Sequence, residues 1–433
     1  MDQPSDAPPS DRISEKPERT RIGSKKKIGF VCSGGATKAG AFHLGVALAL
    51  REKGFHFRGG VGPDMPPSPM EISCYVGSSA GSVITSYLAS GYTLENIFNS
   101  FAGRDPETER DALPKVLQKM SYQTMFRLRK GLAKEQVAQL ALVKTIATAL
   151  MHGDFEALLQ LRWLKTTGIF TTTGIEDFLR ESVLPADAFS ALSAELYLVA
   201  TELNEAKKVV FGKNHFPAPD YDRSVEYRTD VPISKACAAS TSLPIVYAPY
   251  ALKGENGEET TFIDGELRDT LSSHIAVDAG CDLIFASYTH QPYKLKAEVG
   301  SLTQHGLPSI LVQSAYLVIE QKIQQHIHHK TLQRNAITSV EKFCKEHRLE
   351  PKIRNELLQL LEKELQHKPN VDTIYIHPSP DDSEVFFGEH FSLSPKKLVA
   401  IVRAGFRAAN TTLSKYTFLD HVEEQTILKS KIQ

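Results

Sequence analysis

The pentapeptide Gly77-Ser78-Ser79-Ala80-Gly81 limits the fold of this chain more than any other stretch. Before it, Ile72-Ser73-Cys74-Tyr75-Val76 has the short, partly β-branched and aromatic composition of a buried strand. After it, Ser82-Val83-Ile84-Thr85-Ser86-Tyr87-Leu88-Ala89 reads as a helix stopped by Gly91. Strand, tight glycine turn and helix together turn a bare Gly-x-Ser-x-Gly match into a nucleophile elbow, with the Ser79 hydroxyl at the helix N-terminus. There the helix dipole and free N–H groups favour developing negative charge. Gly77 and Gly81 are expected to let the backbone turn sharply and approach its neighbours. Taken alone, the pentapeptide fits a Gly/Ser-rich loop equally well, so its neighbours decide.

A second unit of the same kind lies just upstream. Ile28-Gly29-Phe30-Val31-Cys32 reads as a buried strand, Ser33-Gly34-Gly35-Ala36-Thr37-Lys38-Ala39-Gly40 as a glycine-rich turn, and about Ala41 to Lys53 as a helix closed by Gly54. Such a turn aims backbone N–H groups at an anion: a nucleotide phosphate, a dinucleotide pyrophosphate or a transient oxyanion. Its spacing fits neither G-x-G-x-x-G nor G-x-x-x-x-G-K-[ST]. With a serine elbow following closely, the oxyanion reading leads.

Composition removes other classes. With 41% hydrophobic and 23% charged residues the chain is an ordinary globular protein, and a formal net charge of −1 gives no electrostatic reason to expect nucleic acid. Five scattered cysteines suggest neither a disulfide framework nor zinc, and no metal or cofactor is expected. No apolar signal-peptide core and no run of about 18 apolar residues is present, so a cytoplasmic or peripheral membrane location is expected.

The remainder continues the alternation. Residues 1–24, rich in Pro, Ser and charge, read as a disordered leader. Residues 101–165 read as a mostly helical cap insertion, within which Leu132 to Met151 places Leu140, Val143, Ala147 and Leu150 on one face. That stripe fits either a helix packed on the core or a surface that meets lipid, flanked by Arg127, Arg129 and Lys130. Leu196–Ala200 and Lys208–Phe211 read as strands, Ile233–Ser240 as a helix, and Thr260–Ile263 as a strand ending at Asp264-Gly265-Glu266. A carboxylate at the C-terminal end of a strand is where open α/β sheets place functional groups. Residues 313–365 read as a helical insertion whose histidines (His326, His328, His329) suit a solvated surface. A strand at 373–377, a helix at 394–412 and a tail from 416 close a domain spanning 25–415.

The order of glycine loop, Ser79 elbow and Asp264-Gly265 resembles the patatin-like phospholipase family. So do Ala41-Phe42-His43-Leu44-Gly45-Val46, Ala238-Ala239-Ser240 with Pro244, and Ile374-Tyr375-Ile376-His377-Pro378 followed by the helix carrying Gly405. The resemblance implies an α/β three-layer fold with a central, mostly parallel sheet flanked by helices. It also implies a lipid acyl hydrolase of the phospholipase A or lysophospholipase type, acting on phospholipid or lysophospholipid at a peripheral membrane surface. Its Ser–Asp dyad would be Ser79 and Asp264, its oxyanion loop Gly34, Gly35, Ala36, Thr37 and Lys38, with Gly77, Gly81 and Gly265 in support. Two departures stand out. Alanine occupies the third glycine of the loop, restricting φ, and Glu266 follows Asp264-Gly265, where a second charge would raise the aspartate pKa. The dyad would work by Asp264 taking the Ser79 proton, with amides of Gly35, Ala36 and Thr37 holding the oxyanion. Two rivals stand beside it: a Ser–Asp–His triad using His274 or His377, and a non-catalytic lipid-binding module.

Overall fold

A computed structural model describes residues 19–104, 116–129, 167–216, 224–254, 257–294, 300–365 and 367–419. The Leu132–Met151 stripe and most of the expected cap lie outside these residues.

Fourteen strands form: β1 Thr20–Ile22, β2 Ile28–Cys32, β3 His56–Phe57, β4 Glu71–Ser78, β5 Arg127–Leu128, β6 Phe170–Thr171 and β7 Glu195–Glu202, then β8 Lys208–Gly212, β9 Val225–Arg228, β10 Tyr250–Lys253, β11 Glu259–Asp264, β12 Leu283–Ser287, β13 Asp372–Ile376 and β14 Tyr416–Phe418. Ten of them make one sheet in the order β10-β11-β7-β4-β2-β12-β13, with β3 beside β4, and β8 and β9 beyond β7. The five central strands, β7 to β13, are parallel throughout. Antiparallel pairing appears where β11 joins β7 and β10 joins β11. This is the mostly parallel sheet expected.

Helices cover both faces, and the period-two pleat divides the strand residues between them. Phe30, Tyr75, Leu196, Leu198 and Phe285 pack into one core, with α1 (Ala36–Glu52), α2 (Ala80–Ala89) and the Pro395–Leu413 helix. Val31, Val76, Tyr197, Val199 and Ile284 pack into the other, with Ile275 and with Ile323 of the Gly306–Glu346 helix. Burial on both faces is why these strands read as continuous apolar runs. The α1 and Pro395–Leu413 helices cross in backbone contact. A Cβ on Gly45 would stand 2.0 Å from the Val402 carbonyl oxygen, and one on Gly405 2.2 Å from that of Phe42.

Several expectations change. Helix α1 begins at Ala36, five residues earlier than read, because Gly35 (φ 127°) and Ala36 (φ 57°) turn the chain into it without a side-chain cap. Residues 127–128 lie in a strand paired antiparallel with 170–171, inside the region read as helical. Residues 20–22 and 416–418, read as parts of a leader and a tail, pair in parallel as β1 and β14 and bury Ile22. Residues 313–365, read as a helical insertion, fall in two helices, Gly306–Glu346 and Pro351–Glu364, the first roughly 60 Å long at 1.5 Å per residue. Among the described residues no helix is long and apolar enough to cross a membrane. All five cysteines are free and buried.

Candidate active site

The serine elbow is built where β4 passes into α2. Ser79 itself takes the unusual conformation, φ 52° and ψ −125°, a strained arrangement that the surroundings must hold in place. Neither Gly77 nor Gly81 has a positive φ; the glycines are there for closeness. A Cβ on Gly81 would lie 2.1 Å from the Cys32 carbonyl oxygen, and one on Gly77 2.4 Å from Thr85 Oγ1. The strain is held by a relay: the Ser79 N–H donates to Ser240 Oγ at 2.9 Å, and Ser240 Oγ donates to the Val199 carbonyl at 2.6 Å. The last residue of the Ile233–Ser240 helix thus fixes the serine to the end of β7.

Asp264 ends β11, in register with Ala200 of β7. Its N–H donates to the Ser242 carbonyl at 3.0 Å, and its Oδ1 accepts the Glu266 N–H at 3.0 Å. The Ser79 side chain and the Glu266 N–H both pull the Asp264 pKa down, but burial outweighs them and pushes the carboxyl up to about 6. Burial, not a neighbouring charge, is therefore the cause of the rise. The Asp264 charge acts instead on Glu266, which burial already lifts and which stands at about 8, so this second acid is mostly neutral near pH 7.

The glycine turn stands beside the serine. Gly34 packs against the Glu266 side chain, and the Lys38 N–H donates to the His390 carbonyl at 3.3 Å. Gly35, Ala36 and Thr37 between them line the cavity. The α1 end is tied down by Thr37, whose hydroxyl lies 2.7 Å from the His390 carbonyl and 3.0 Å from that of Ser392. The Lys38 ammonium turns away to Tyr316 Oη at 3.1 Å and His390 Nε2 at 3.3 Å, and burial lowers its pKa to about 7. His43 braces the turn from behind. Its Nε2–H donates to the Ser33 carbonyl at 2.9 Å, which leaves Nδ1 to accept from Ser287 Oγ at 2.7 Å.

These groups open on a cavity of about 670 Å³, within the range of ligand sites. Ser79, Asp264, Glu266 and His290 are among its polar lining, while Tyr87, Phe101, Met120, Ile175 and Leu243 make its walls apolar. Tyr316, Ile319 and Lys322 of the long Gly306–Glu346 helix also line it. The triad candidates lie elsewhere. His274 is bonded to Lys208 Nζ at 2.9 Å, and His377 Nδ1 to the Pro378 carbonyl at 2.9 Å. Neither lines the cavity. Arg127, read as a basic docking residue, is ion-paired with Asp177.

Sequence reasoning did not single out Ser240, His290, Tyr316 or His390 as site residues. Ser240 had a local signal in its small-residue helix; the others arrive from distant loops and helices. No curated protein matches the chain. The family model described as patatin-like phospholipase matches residues 30–277, more than half the chain, and takes in the glycine turn, the elbow and Asp264. The chain belongs to the patatin-like phospholipase family.

Proposed function

We propose that the protein is a serine carboxylic ester hydrolase that cleaves phospholipid or lysophospholipid acyl esters through a Ser79–Asp264 dyad. The observation that carries this reading is that Ser79 and the buried Asp264 line one largely apolar cavity, where the serine side chain draws the aspartate pKa down. Asp264 takes the serine proton as Ser79 Oγ attacks the ester carbonyl, and the amides of Gly35, Ala36 and Thr37 receive the oxyanion. The alcohol leaves with a proton returned through Asp264. Water then attacks the acyl-enzyme with Asp264 again as base. A carboxylate with a pKa near 6 is a better base than an ordinary aspartate and is still mostly ionised at neutral pH. The apolar walls suit an acyl chain, and access to lipid at a peripheral membrane surface belongs to the same proposal.

The test is an activity screen of the purified protein on labelled phospholipids, lysophospholipids and a soluble p-nitrophenyl ester, with Ser79→Ala as control. Hydrolysis by the native protein and none by the variant is the expected result. Equal turnover by both would remove Ser79 from the chemistry.

A further inference from the structure

Glu266 is the acid that the family resemblance does not explain, and its position is more specific than a turn residue requires. Its carboxyl accepts from the Ser78 hydroxyl, at the end of β4 next to the nucleophile, and its side chain packs against Gly34, in the turn before α1. Its own backbone N–H holds Asp264 Oδ1. The carboxyl packs tightly enough that a Cβ on Gly34 would stand 2.5 Å from Glu266 Cγ and 2.7 Å from Ser79 Cβ. One residue therefore touches the glycine turn, the elbow and the aspartate loop together. Its outer oxygen, Oε2, has no partner and lies 3.9 Å from His290 Nδ1, which has none either.

We propose that Glu266 is a positioning residue of the hydrolase, tying the glycine turn to the serine elbow and the aspartate loop. The inference rests on the functional reading above. An acyl hydrolase needs its oxyanion donors at a fixed offset from the nucleophile, and here donors and nucleophile sit on separate strand–helix units. The Glu266 side chain bridges those units next to the reacting atoms. By packing against Gly34 it fixes where the amides of Gly35, Ala36 and Thr37 meet the substrate oxygen. A carboxyl in this place serves only while un-ionised, since a second negative charge beside Asp264 would oppose the oxyanion. Burial and the Asp264 charge keep it so at neutral pH.

The experiment compares Glu266→Ala, Glu266→Gln and Ser78→Ala on a soluble p-nitrophenyl ester, with folding followed by circular dichroism and thermal melting. Glu266→Ala should lower kcat by about tenfold or more with KM little changed, since the lost contact acts on transition-state geometry. Glu266→Gln should recover most of that loss, because its amide oxygen accepts the same Ser78 bond and its side chain fills the same space. Ser78→Ala should cost activity in the native background and almost none in the Glu266→Ala background, the signature of a shared contact. This cycle also decides the matter through Ser78→Ala and Glu266→Gln should Glu266→Ala fail to fold. Two results overturn the proposal: a folded Glu266→Ala protein with native kcat, or a Glu266→Gln protein as impaired as the alanine variant, which would make the acidic proton the working part. A fluorophosphonate label on the native protein keeps the two proposals apart. If Ser79 takes the label and these variants behave otherwise than stated, the fault lies with Glu266 alone. If native Ser79 takes no label and no ester is cleaved, the functional reading falls and the role of Glu266 with it.

Discussion

Ser79 and Asp264 line the same cavity, and among the described residues no histidine is hydrogen-bonded to either. The proposed dyad makes separable claims about its members. Ser79→Ala should abolish ester hydrolysis in a protein that folds normally. Asp264→Asn should follow closely, by about 10³-fold or more, because the amide keeps the shape but cannot take the proton. His274→Gln, His290→Gln and His377→Ala should each keep most of the turnover, although His290 lines the cavity. A folded histidine variant with a loss of the Asp264→Asn size would restore the triad.

Asp264 must be ionised to act as base, and its carboxyl stands at about 6. The pH profile of kcat/KM on a soluble ester should therefore rise through an apparent pKa near 6, above the usual aspartate range. A profile flat down to pH 4.5 would mean that the carboxylate is not the base.

Glu266 links the site to stability. Its folded-state pKa of about 8 lies above the ordinary value of 4.5, so between those pH values the folded protein holds a proton that the unfolded chain releases. Stability from this group is complete below about 4.5 and is lost as pH rises through 8. Glutamine has no such proton. The melting temperature of Glu266→Gln relative to the native protein should increase from pH 5 to pH 9. A difference that stays constant with pH would argue against a buried neutral acid at this position.

Ser240 bears on the strain at Ser79. Ser240→Ala leaves the buried Ser79 N–H without an acceptor, at a cost of about 1–3 kcal/mol. A lower melting temperature should accompany a kcat that falls more than KM rises. Native kcat in a destabilised protein would show that the elbow keeps its shape without the relay.

The parts of the site legible in the sequence are those carried by local turn chemistry. Ser79, Asp264 and the Gly34–Thr37 turn sit within a few residues of the glycines and strand ends that mark them. The start of α1 was hidden for the same reason: glycine and alanine bring the chain into the helix through positive φ, with no capping side chain to signal it. The expected φ restriction at Ala36 is met by that residue adopting φ 57°. Glu266 was noticed as a charge, but its bond to Ser78 spans 188 residues, a relationship set by packing alone. Lys38, read only as part of the glycine loop, is buried against Tyr316 and His390, partners that come from distant parts of the chain. The short strands β3, β9 and β10 gave no signal, because two to four residues cannot display a period.

The pairing of Thr20–Ile22 with Tyr416–Phe418 sets an order of events during synthesis. The ring of Phe418 stands 5.1 Å from that of Phe55 and 6.0 Å from that of Phe285, so this last strand closes over side chains from early and middle parts of the chain. At a ribosomal speed of about 5–20 residues per second, the first strand waits tens of seconds for its partner. During that wait Phe55 and Phe285 lack part of their cover. The ring of Phe55 therefore stays partly uncovered until residues 416–418 have emerged.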